Sequence, residues 1–112
     1  MDTTGLLSQR VKIVLRRFHP QTPREIVRGI ITDVDETGLR VSGRRFQEHP
    51  DLESGFPQER PVELDAKVYW IPFSSIRYTE IIAPGSPSEK VDNEIQRHKV
   101  FTPQELHRPT ES

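Results

Sequence analysis

Cysteine is absent from this sequence, which excludes a disulfide framework, a thiol nucleophile and a zinc–thiolate site and leaves packing as the source of stability. No stretch approaches the roughly 18 consecutive apolar residues that a membrane span needs. The opening Met1–Leu7 segment lacks the basic start and apolar run of a signal peptide, so the expectation is a cytoplasmic protein with no membrane partner. An excess of positive charge is missing as well. The 16 Lys and Arg stand against 17 Asp and Glu, which argues against a protein that grips nucleic acid by bulk charge alone. Only 32% of the residues are hydrophobic and 10 are proline, so a chain of 112 residues, the size of one domain, must gather its apolar residues into part of its length. Charge is uneven along it: residues 1–50 carry nine Lys/Arg against six Asp/Glu, and residues 51–112 carry seven against eleven.

The apolar residues fall in short alternating runs. Val11, Ile13 and Leu15 alternate with Arg10, Lys12 and Arg16, the pattern of a half-buried strand. His19–Pro23, with two prolines, reads as a loop. In Arg24–Asp33 the β-branched residues Ile26, Val27, Ile30, Ile31 and Thr32 surround Gly29, and a glycine inside a strand marks a bend or a close backbone approach. Asp35-Glu36-Thr37-Gly38 is a turn into a third strand at Leu39–Ser42. Residues 43–66, with three prolines and many charges, read as one long loop. Lys67–Phe73 and Ser75–Ile82 supply two more strands rich in aromatic and β-branched residues. The expected fold is all-β: a small, five-stranded, strongly bent antiparallel barrel over residues 9–82, with short terminal helices. Residues 83–112 form a tail, loose or docked on a neighbour. Within it Ser86-Pro87-Ser88-Glu89 has capping-box spacing for a helix over roughly 88–99 with Val91 and Ile95 inward, and Thr102-Pro103-Gln104-Glu105 offers a second cap.

Two stretches resemble the motifs of the Sm/LSm family. Gly29, Ile31, Asp35, Gly38 and Leu39 stand as in its first motif, and Ile71, Ile76, Arg77 and Tyr78 as in its second, on either side of the variable middle segment. The resemblance implies a bacterial-type divergent Sm-like protein that forms a homo-oligomeric ring of six or seven subunits by pairing of edge strands, with Val68, Trp70, Ile76 and Tyr78 at the subunit interface. It also implies binding of single-stranded RNA at the pore turns. Pro72-Phe73 stands where the family has Arg-Gly, and the Asp35–Gly38 turn is acidic with no Asn. The expected RNA contacts therefore pass to Phe73, by stacking, to Thr37 in the pore turn, and to Arg44 and Arg45, by phosphate contact. An assembly module without RNA binding is the competing class.

A more distant resemblance is to PilZ domains, which bind cyclic dinucleotides, through Arg24-x-x-x-Arg28 and Asp33-x-Asp35-x-x-Gly38. Only four residues separate the two motifs here, and Asp35 would repel a phosphate. Catalysis is not expected. His19, His49, His98 and His107 lie far apart with no metal-ligand spacing, Ser74-Ser75 lacks a nucleophile-elbow context, and no glycine loop cradles phosphate. No metal or cofactor is expected.

Overall fold

The computed structural model describes residues 4–97. Six strands form one antiparallel sheet: β1 Arg10–Leu15, β2 Arg24–Val34, β3 Gly38–Pro50, β4 Pro57–Pro61, β5 Lys67–Pro72 and β6 Ile76–Ile81, followed by helix α1, Pro87–Gln96. A 3-10 turn at Phe73–Ser75 joins β5 to β6. The spatial order is β4-β3-β2-β1-β6, with β5 on the first half of β3 and β4 on its second half. Among the described residues β5 and β6 do not pair with each other, so the sheet stays open between them.

Residues 43–66 are not the single loop expected of them. β3 runs on through Phe46 to Pro50 and returns as β4, with Phe46 opposite Pro61 and Pro50 opposite Pro57. The three prolines lie at strand ends, where a missing N–H costs no ladder bond. Asp51 ties the connection, accepting from Glu53 N and Ser54 Oγ at 3.1 and 2.8 Å, while Gly55 takes φ +76°. Dense charge on an edge hairpin hides its alternation.

Successive strand residues point to opposite faces, and both faces of this sheet are used. The inner face buries Val11, Ile13, Val27, Ile31, Leu39, Val41 and Ile71. The outer face buries Val14, Ile26 and Phe46, with Ile95 of α1 packed on them. The backbones of β2 and β3 approach closely at Gly29 and Gly43, which stand opposite each other. A Cβ on Gly29 would lie 2.2 Å from the Ser42 carbonyl oxygen, and one on Gly43 would lie 2.1 Å from that of Arg28. The close backbone approach expected at Gly29 thus takes two glycines.

The tail helix is docked on its own sheet. Ser86 caps it, its hydroxyl accepting from Glu89 N at 3.2 Å, and Pro87 opens it. Val91 does not face inward as expected. It is exposed, and Asp92, 1% exposed, points to the sheet with Ile95. The reason is electrostatic: Arg28 is buried on the outer face, Glu59 takes its Nε and Nη2, and Asp92 satisfies the Nη1 that would otherwise be buried without a partner. The helix end expected at 99, the second cap at Thr102–Glu105, and His98 and His107 lie outside the described residues.

Candidate nucleic-acid interface

Gln9–Arg24 contains Arg10, Lys12, Arg16, Arg17 and Arg24 and no Asp or Glu. The fold gathers the second half of this run at one end of the sheet. β1 slips register between Val14 and Leu15, where it meets β6. Arg16 then anchors the strand end, its backbone N–H donating to Ser75 O at 2.9 Å and its Nε to Ile76 O at 3.2 Å. The loop that follows is closed on itself. Thr22 donates to His19 O through its hydroxyl at 2.7 Å and its amide at 3.2 Å, and Arg17 reaches Pro20 O at 3.4 Å.

Arg24 opens β2 and Arg77 lies on β6. A depression of about 440 Å³ is lined by Leu15, Arg16, Arg17, Arg24 and Arg77, with no carboxylate in its wall. None of these arginines forms an ion pair among the described residues. Guanidinium stays protonated across the physiological range and matches phosphate with two parallel N–H donors. Four of them around one depression repel one another until an anion enters. Beside it a second depression of about 460 Å³ is lined by Phe18, His19, Glu25 and Gln47, and the Phe18 ring is 88% exposed. An aromatic surface next to guanidinium groups offers a base a stacking partner while its phosphate is held.

The four RNA contacts expected from the sequence fall in two separate places. Thr37 and Phe73 meet, with Phe73 N donating to Thr37 O at 2.9 Å. The Thr37 hydroxyl is spent on Asp35, which also accepts from the amides of Thr37 and Gly38 at 2.7 and 3.0 Å. The Thr37 amide, its hydroxyl and the Gly38 amide hold the Asp35 carboxyl below its usual range, so a fixed negative charge faces Phe73's neighbourhood at neutral pH. Phe73 itself is 40% exposed.

Arg44 and Arg45 lie seven and eight residues further along β3, roughly 23 to 26 Å from Thr37 at strand rise. Arg44 donates to the carbonyls of Glu63 at 3.2 Å and Gln96 at 2.8 Å and sits over the Phe46 ring at 5.4 Å. Arg45 lies 3.9 Å from both Glu25 and Glu63. Glu63 also accepts from the Tyr69 hydroxyl at 2.6 Å; burial and then this carboxylate push the phenol up to about 12. Both arginines serve internal contacts.

Of the expected interface residues, Val68, Trp70 and Tyr78 are exposed on β5 and β6, whereas Ile76 packs against the inner core. Arg24 and Arg28, the pair resembling a PilZ motif, share one face of β2, but Arg28 is 3% exposed and fully engaged by Glu59 and Asp92. No group of three His, Asp or Glu among the described residues is placed to hold a metal ion. No described helix is long and apolar enough to cross a membrane. Compared with protein-family models, curated proteins and solved structures, the chain matches none.

Sequence reasoning missed Arg16, Arg17, Phe18, Arg24 and Arg77 as one group. The acid-free run and its lone exposed aromatic carried a signal for the first four. Arg77 joins them only through the pairing of β1 with β6.

Proposed function

We propose that this chain is an Sm-like module, its open sheet the wall of a small bent barrel, that binds single-stranded RNA through the arginine-lined end of β1, β2 and β6. The observation that carries this reading is the depression walled by Arg16, Arg17, Arg24 and Arg77 with no acidic residue. Phosphate is held by the four guanidiniums, and a base stacks on Phe18, an interaction worth about 1–3 kcal/mol. Phosphate contacts of this kind fix position without reading sequence, so discrimination between bases is weak. The free edges of β5 and β6, which carry Val68, Trp70 and Tyr78, supply the surface for self-assembly into a ring, as unpaired edge strands bond readily to another chain.

The test is an oligouridine titration of the wild type and of the Arg24→Ala/Arg77→Ala double variant, with solution mass followed by light scattering. Neither side chain bonds within the sheet core, so the variant stays folded. Its affinity falls, and the slope of log affinity against log salt flattens by about 0.7 for each phosphate that is no longer neutralised. An unchanged affinity and slope would remove the arginine end from RNA binding. A multimeric mass with no RNA uptake would leave the assembly-only reading.

A further inference from the structure

The outer face of the sheet carries a row of cations that its own register creates. Lys12 of β1 stands opposite Arg28 of β2, and Arg28 stands opposite Arg44 of β3. Arg10 lies on the same face one pleat away from Lys12. Like charges directly opposite in adjacent strands oppose pairing unless something neutralises them. Here α1 lies over them. The Asp92 carboxylate is 1% exposed and is held between two strands: Oδ1 accepts from Arg28 Nη1 at 2.8 Å, and Oδ2 is paired with Arg10. Glu89 lies 3.7 Å from Arg10, Asn93 accepts from Arg10 at 2.6 Å, and the Gln96 carbonyl accepts from Arg44 at 2.8 Å. The remaining acids on this face belong to the sheet. Glu59 of β4 accepts from Arg28 Nε and Nη2, both at 2.8 Å, Glu80 of β6 stands opposite Lys12, and Glu48 of β3 stands opposite Arg24.

Resting on the RNA reading above, we infer that Arg10, Arg28 and Arg44 form a second phosphodiester site, closed in this structure by α1, whose Asp92 carboxylate occupies the place of a phosphate. The two carboxylate oxygens meet two guanidiniums as the two free oxygens of a phosphodiester would. The attachment of α1 is mostly polar. Ile95 is its contact with the outer core and Val91 is exposed, so little apolar area holds the helix down against a competing anion. The site also continues the first one: Arg24 and Arg28 lie on one face of β2 four residues apart, roughly 13 Å. A strand of RNA seated at the arginine end and extending along β2 meets Asp92 as its competitor. Occupancy of the second site therefore releases α1.

The experiment uses the full chain with Asp92→Ala, and separately with Ile95→Ala, which loosens the helix without changing charge or any sheet residue. Circular dichroism and amide exchange follow residues 87–96, and oligouridine affinity is measured across a salt series. Both variants lose helix protection and bind more tightly, by about tenfold, with the salt slope steeper by about 0.7 for each arginine engaged. Arg28→Gln added to Asp92→Ala returns the affinity toward wild type. Should Asp92→Ala fail to fold, the Ile95→Ala result decides alone. Helix release without tighter binding would overturn the inference while leaving the first site standing. Tighter binding in both variants beside a wild type that binds nothing would keep this site and discard the arginine end.

Discussion

Gly43→Ala should cost at least about 3 kcal/mol, enough to unfold a small domain of ordinary stability or leave it barely folded. The added methyl would sit 2.1 Å from the Arg28 carbonyl oxygen and 2.6 Å from the Gly29 Cα, both backbone atoms of the paired strand. Backbone cannot swing aside as a flexible side chain does, so β2 and β3 must separate at this point of closest approach. That separation loosens the ladder holding Arg28 opposite Arg44 and the inner core residues Val27 and Val41 beside it. Gly5, where an added Cβ would have nothing within 4 Å, is the matched control, and Gly5→Ala should stay within about 0.5 kcal/mol of wild type. Urea unfolding with matched slopes reads both. A Gly43→Ala protein of wild-type midpoint would mean that the two strands do not approach so closely.

Phe46→Ala carries the second large effect, about 3–5 kcal/mol for an aromatic side chain removed from a packed site. Phe46 is fully buried on the outer face with Val14, Ile26 and Ile95, and its ring carries the Arg44 guanidinium at 5.4 Å. The damage is therefore not confined to one cavity. Ile95 loses its platform and Arg44 loses the surface that directs it to the Gln96 carbonyl, so α1 frays with the outer core. Amide exchange in residues 87–96 should accelerate well beyond the change in global stability. Equal acceleration across sheet and helix would show that Phe46 supports the sheet alone.

The strands of the inner face were legible because their chemistry is repeated. Val11 and Ile13, or Leu39 and Val41, alternate with charged neighbours, and the Asp35–Gly38 turn announces the hairpin. The Ser86 cap located the start of α1 for the same local reason. What could not be read was set by partners distant in sequence. Asp92 looks like a surface carboxylate until β1 and β2 bring Arg10 and Arg28 to it, 82 and 64 positions away. Phe46 looks like a loop residue until its alternation with Arg44 and Glu48 is seen against Ile26. Of the expected RNA residues, Thr37 and Phe73 drew on motif position, and Arg44 and Arg45 on charge beside the hairpin. Arg44 and Arg45 proved to be engaged by Gln96, Glu63 and Glu25, while the acid-free run up to Arg24 carried a charge signal that only the pairing of β1 with β6 joins to Arg77.

Nuclear magnetic resonance shift mapping with oligouridine tests the central claim most directly, since it locates the RNA on the chain without altering any residue. The account predicts the largest shifts at residues 15–24 and at Arg77, including the arginine Nε–H signals, with smaller changes following along β2 toward Arg28. Shifts confined to Thr37 and Phe73, or none at all, would contradict it.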